Sequence, residues 1–171
     1  MAKRLKYWGW GYEGDGLQPA QTEALLRTLR DGYGIQATGD GGGPSALEAL
    51  TMGPARLDPP ANLAPICRTD AYERALHAFG QSQPDSIRIF AGDFAHAPDV
   101  VAYPETAEDI QRLFDWCAIA GAALIPFGGG SSVVGGVTSD VGSGFNGVVS
   151  LDMTRMARVL EIDDVSRAAR I

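Results

Sequence analysis

The chain has 171 residues, 45% of them hydrophobic and 20% charged, and a formal net charge of −7. This is a globular composition with length enough for a sizeable core, and its acidity argues against a nucleic-acid or anionic-membrane surface. The only cysteines, Cys67 and Cys117, form no C-x-x-C pair and the only histidines are His77 and His96, so neither a disulfide framework nor a metal centre is expected. The basic start is followed by Tyr7-Trp8-Gly9-Trp10-Gly11 instead of an apolar signal core, and no stretch reaches membrane-spanning length. A soluble, cytoplasmic protein is the expectation.

Beyond the aromatic and glycine-rich residues 1–17, strong helix formers from Ala20 to Arg30 predict a first helix that follows Pro19 and ends before Gly32. Glycines and prolines crowd residues 39–65, which read as an irregular, surface-lying arm with one short helix at Ser45–Thr51. Thr69 caps a second expected helix, whose Tyr72, Ala75, Leu76 and Phe79 share one face and which Gly80 stops. A domain boundary is placed between about 80 and 90, dividing an arm (1–87) from a second unit (88–171).

Signals sharpen from residue 98. Val100 to Tyr103 read as a strand ended by Pro104, and Thr106-Ala107-Glu108-Asp109 as a capping box with Asp in place of Glu. Ile110, Leu113, Phe114 and Cys117 form the expected buried stripe of the next helix, Gly121 closes it, and Ala122–Pro126 is a strand. This is a βαβ unit with parallel strands, so the loop leaving the second strand lies at the carboxyl end of the sheet, where ligands of parallel sheets sit. Further strands are expected near Gly147–Leu151, Arg158–Ile162 and from Arg167 to Ile171. The acidic residues Glu161, Asp163 and Asp164 read as a turn.

That loop is Pro126-Phe127-Gly128-Gly129-Gly130-Ser131-Ser132-Val133-Val134-Gly135-Gly136, a run without charge. Successive glycines let neighbouring N–H groups converge on one anion, and the serines add hydroxyl donors. The phosphate-binding pattern of nucleoside triphosphatases needs a Lys followed by Ser or Thr, which this loop lacks. A literal G-x-G-x-x-G at Gly142–Gly147 leads into a strand where the dinucleotide fingerprint demands a helix, so residues 138–147 read as a hairpin-type loop. His96 and His77 read as structural or solvated, and Cys117 as a buried thiol. Cys67 gains a lowered pKa from Arg68 only if both are exposed.

Three motifs, in order, carry a resemblance. Residues 98–110 resemble the opening P-x-x-V-x-x-P-x-x-x-x-D-V of the FAD-linked oxidases of the vanillyl-alcohol oxidase and p-cresol methylhydroxylase family, Pro126–Gly136 resembles its P-x-G-G-G-T-S pyrophosphate loop, and Gly147–Asp163 its next strand and L-D-x-x-x-M turn. Tyr7–Tyr12 is similar to a W-x-G-W-G-Y element that precedes this domain in alkyldihydroxyacetonephosphate synthase and its bacterial relatives; it also reads as an aromatic cluster packing an N-terminal segment onto the body.

The resemblance implies an α+β fold, an N-terminal helical arm followed by the first βαβ-containing subdomain of such an FAD-binding domain. It assigns FAD pyrophosphate contacts to Pro126, Phe127, Gly128, Gly129, Gly130, Ser131, Ser132 and Val133, and puts Pro104 at the adenine side. Ser131 stands where some relatives carry a flavin-linking His, which implies noncovalent FAD. Because Ile171 falls before the family's second glycine-rich half and its substrate domain, a fragment is expected, with catalytic residues outside it and a possible homo-oligomer. The implied function is the FAD-binding part of an oxidoreductase acting on a hydroxyl-bearing small molecule such as a 2-hydroxy acid, or of an alkyldihydroxyacetonephosphate synthase-like enzyme. The alternative is a non-catalytic truncated fragment or binding module.

Overall fold

The computed structural model describes residues 3–36 and 44–170; Gly39 and Gly41 to Gly43 of the expected arm lie outside the described residues, as does Ile171. Four strands, β1 (Cys67–Arg68), β2 (Val100–Ala102), β3 (Ala122–Phe127) and β4 (Gly147–Asp152), form one sheet in the order β1-β2-β4-β3. β2, β4 and β3 are parallel, with Val149 opposite both Val100 and Leu124, and β1 adds an antiparallel edge. The expected βαβ unit is there, with β4 inserted between its two strands. Every residue of β4 is buried, as a central parallel strand requires, and its sequence accordingly shows no polar alternation.

Between β2 and β3 runs helix α4 (Ala107–Ala120), which starts as its sequence dictates. Thr106 Oγ1 accepts from the Asp109 amide at 3.1 Å, the Asp109 carboxylate accepts from the Thr106 amide at 3.0 Å, and Gly121 ends the helix at φ 65°. Leu113 and Cys117 pack against Val100, Val149 and Leu151, with Ile110, Trp116 and Ala120 alongside. Phe114 departs from the expected stripe: the buried face is centred on Leu113 and Cys117, and Phe114, one residue round the helix from Leu113, is 54% exposed.

The first helix, α1 (Pro19–Tyr33), runs through Gly32 and stops at Gly34, whose left-handed φ of 65° lets its N–H close on the Arg30 carbonyl. In place of the helix expected at Ser45–Thr51 a 3-10 turn forms at Leu47–Ala49, and a second 3-10 turn, Ala64–Ile66, closes the arm. The arm is not wholly surface-lying, because Leu57 and Leu63 enter the sheet's core. Helix α2 (Ala71–Leu76) is capped by Asp70, not Thr69, and is followed by α3 (Gln83–Phe90), a helix absent from the sequence expectations. A capping box of Ser82 and Asp85 starts α3. Phe79, Ile89, Phe94 and Ala97 build a second core, against which Tyr7 and Trp8 of the N-terminal segment pack. A hairpin of β5 (Glu161–Asp163) and β6 (Ala168–Arg170) ends the described chain, with Asp163 accepting from Val165 and Ser166 in its turn. The fold is α+β.

Candidate functional site

Three parallel strands present their carboxyl ends together, Ala102 in β2, Phe127 in β3 and Asp152 in β4, and the glycine loop continues from the last residue of β3. Among the described residues, the amides of residues 128–135 donate no hydrogen bond within the chain. A Cβ at Gly128 or Gly129 would meet nothing within 4 Å, so open space adjoins these amides. Gly130 differs: it has φ 63°, and a Cβ there would lie 2.7 Å from Phe127 Cζ. The glycines thus serve two ends, two leaving room for a ligand and one permitting the turn over the Phe127 ring. Ser132 binds the loop to itself, its Oγ accepting from the Gly136 amide at 2.9 Å.

Residues distant in sequence hold this loop. The Gln81 amide donates to the Ser132 carbonyl at 2.7 Å, and Gly80 sits so near that a Cβ would overlap that oxygen. Gly80 is not the helix stop expected from the sequence, since α2 ends at Leu76 with His77 as its C-cap; it is the point where the segment between α2 and α3 meets the loop.

Behind Phe127 lies a buried polar network. His77, 1% exposed, faces the Glu73 carbonyl with Nδ1 at 2.7 Å and Asp152 Oδ2 with Nε2 at 2.8 Å, and its ring lies 4.4 Å from that of Phe127. The carbonyl can only accept, so Nδ1 is the nitrogen that donates to it. Burial pushes the Asp152 carboxyl up, but hydrogen bonds from His77 and Thr154 outweigh it and hold the group below the ordinary carboxylate range. Tyr103 O–H donates to Glu73 Oε2 at 2.5 Å; burial and that carboxylate raise the phenol. His77, expected to be structural or solvated, thus anchors the ground behind the loop. Its partner is 75 residues away, and no local pattern announces the pair.

A cavity of about 460 Å³ opens over these groups, a size usual for small-molecule sites. Gly128 to Gly130 form one side, Tyr103, His77 and Asp152 the floor, and the N-terminal segment from Lys3 to Gly11 another wall. Tyr72 O–H holds that segment by the Leu5 carbonyl at 2.9 Å, the Arg4 guanidinium stacks 3.5 Å from the Tyr72 ring centre, and Tyr7 O–H donates to the Ser45 carbonyl. Packing of the aromatic cluster onto the body is therefore observed, and it brings Trp10, 71% exposed, to the cavity.

Of the residues singled out in the sequence, Phe127, Gly128, Gly129 and Gly130 line this cavity. Pro126 is the exposed penultimate residue of β3, Ser131 and Val133 are exposed on the loop beyond, Ser132 is half-buried, and Pro104 is fully buried next to Tyr103. Cys67 and Cys117 are both buried, and burial pushes each thiol up to about 11, which outweighs the Arg68 charge beside Cys67. His96 is exposed, 3.6 Å from Asp140. Among the described residues there is no group of three or more potential metal ligands, and no helix long and apolar enough to cross a membrane.

Amides without partners at the end of a parallel strand, open space above two glycines, and hydroxyls in place of lysines suit the pyrophosphate of a dinucleotide. Residues 98–171 match the FAD binding domain family, which points to FAD as the cofactor. The relatives make the likeness narrower. The chain is 36% identical over 102 residues to alkyldihydroxyacetonephosphate synthase of Trypanosoma brucei brucei, and 36% over 96 residues to that of Dictyostelium discoideum. These alignments cover 60% and 56% of this chain but only 17% and 15% of the relatives. D-2-hydroxyglutarate dehydrogenase of Stutzerimonas stutzeri is 28% identical over 89 residues, 50% of this chain and 18% of that protein. Two solved crystal forms of alkyldihydroxyacetonephosphate synthase share the fold, with TM-scores of 0.73 and 0.75 at 24% identity, over 96% of this chain and 36% and 35% of theirs.

Proposed function

We propose that this chain is the pyrophosphate-binding part of a flavin-dependent enzyme of the alkyldihydroxyacetonephosphate synthase-like branch, holding FAD noncovalently. The observation that carries this reading is the row of partnerless amides from Gly128 to Gly135 beside the open faces of Gly128 and Gly129. In it, the amides of Gly128, Gly129 and Gly130 donate to the diphosphate, Ser131 and Ser132 add hydroxyls, Pro126 and Phe127 set the loop's entry, Val133 its exit, and Pro104 backs the adenine side. Residues 88–171 then act as the opening part of the FAD-binding domain, with residues 1–87 as an arm folded against it.

Bound flavin supplies hydride acceptance and covalent capture of a carbon centre; the chain positions it and excludes water. The 36% identity to two synthases favours the exchange of an acyl for an alkyl chain. Oxidation of a 2-hydroxy acid is the second reading, favoured by the similarity to D-2-hydroxyglutarate dehydrogenase. A cytoplasmic setting and a homo-oligomer belong to the same proposal.

The test is gel filtration of the chain with FAD, read by the visible bands of protein-bound flavin. Co-elution followed by release on denaturation is expected, and Gly80→Ala, which pushes Ser132 aside, should weaken retention at least tenfold. Flavin that stays attached after denaturation contradicts the noncovalent reading. Absence of flavin both here and on a chain extended past Ile171 contradicts the whole reading.

A further inference from the structure

At the amino ends of β2 and β4, opposite the end that carries the glycine loop, a second cavity of about 540 Å³ opens between residues 53–56, 95–99 and 139–143. Arg74 and Arg56 both line it. Arg74 is 6% exposed. Its Nε donates to the Pro98 carbonyl at 2.6 Å and its Nη1 to the Gly53 carbonyl at 2.9 Å, while its Nη2 has no partner among the described residues. Carbonyl partners satisfy N–H groups but bring no counter-charge, and a buried charge without one is costly.

The carboxylate nearest to hand is already committed. Asp99 accepts the Arg56 amide at 2.8 Å, Arg56 Nε at 2.9 Å, Arg56 Nη2 at 2.7 Å and the Val148 amide at 2.7 Å. Four donors occupy the four lone-pair sites of one carboxylate. Arg74 is thus left without a carboxylate of its own, while Arg56, whose side chain is 57% exposed, is paired with Asp99. Asp140 also lines the cavity, but it is half exposed and stands beside His96, where water screens it. In the wall, Ser139 is 4% exposed and its Oγ is buried without a hydrogen-bond partner.

We propose that this cavity is an oxyanion site, in which a phosphate or carboxylate group binds Arg74 and Arg56 Nη1 and takes a hydrogen bond from Ser139. The site is independent of the flavin reading, since it shares no residue with the glycine-loop cavity. It also accounts for the two unmatched features of this end of the sheet, the spare guanidinium charge and the orphaned hydroxyl.

Amide NMR of the full chain, titrated at constant ionic strength with inorganic phosphate and separately with acetate, tests it. Saturable shifts are expected at Gly53, Arg56 and Ser139 to Ser143. Response to phosphate alone identifies a phosphate group, and response to both includes carboxylates, whether of a free ligand or of a protein side chain. Arg74→Lys should weaken binding at least tenfold and Ser139→Ala about threefold; should the first fail to fold, the second decides. Shifts that never saturate, that are confined to residues 128–135, or that are unchanged in the folded variants mean an adventitious ion only and overturn the proposal.

Discussion

Two glycine-rich loops lie on either side of the same strand pair, residues 128–136 leaving β3 and residues 142–147 entering β4, and they differ where each meets its strand. In the first, Gly128 and Gly129 border empty space and their amides have no partner. In the second, the Asn146 amide and side chain bond the Gly121 and Ala120 carbonyls, and a Cβ on Gly147 would lie 2.6 Å from Leu57 Cγ and 2.8 Å from Asp99 Oδ2. Gly128 and Gly129 at the carboxyl end make room for a ligand; at the amino end Gly147 lets the chain pack on itself, while Gly142 and Gly144 further out border open space. A count of glycines in the sequence cannot tell these uses apart, although the next element along the chain can: the second loop runs straight into a buried strand, whose first residue, Gly147, is packed against Leu57 and Asp99.

The difference breaks most severely at Asp99, which joins the amino end together. Asp99→Ala would leave the Val148 amide and the Arg56 guanidinium unmatched, and a loss of about 3–5 kcal/mol in denaturant-unfolding stability is expected. Gly147→Ala should cost about 1–3 kcal/mol through overpacking. In contrast, Gly129→Ala, which meets open space, should stay within about 0.5 kcal/mol of the parent. Equal losses from the two alanines would erase the distinction between the loops.

Acid should weaken the carboxyl end too. The folded-state pKa of Asp152 is depressed, so its contribution is present above the unfolded value of about 3.9 and disappears as pH falls through the folded one. Melting temperature should therefore drop on acidification below about pH 5. Asp152→Asn should lose about 1–3 kcal/mol at neutral pH and show a shallower acid dependence. The smallest expected effect is Thr106→Ala, which removes a helix cap far from both loops for about 1 kcal/mol with flavin affinity unchanged.

Much of this is legible in the sequence because it is local. The capping box at Thr106, the Gly121 stop, the strand before the glycine loop and the loop itself each depend on residues within a few positions, and each lies where the sequence puts it. Helix α3 is hidden: its Ser82 and Asp85 box is sound, but Gly80 and Pro84 surround it with the signals of a loop. The supports of the site are illegible for another reason. His77 with Asp152, Gly80 against Ser132 and Arg56 with Asp99 are contacts between segments 43 to 75 residues apart, and no periodicity encodes them. The buried Arg74 belongs to the same class, since on its helix it reads as an ordinary surface charge.

The most direct measurement is an amide NMR titration of the chain with FAD, following both glycine loops at once. Saturable shifts across residues 128–135, with residues 142–147 unmoved, are the expected result. Shifts at residues 142–147 without any at residues 128–135 would contradict the assignment of the glycine loop after β3 as the pyrophosphate cradle.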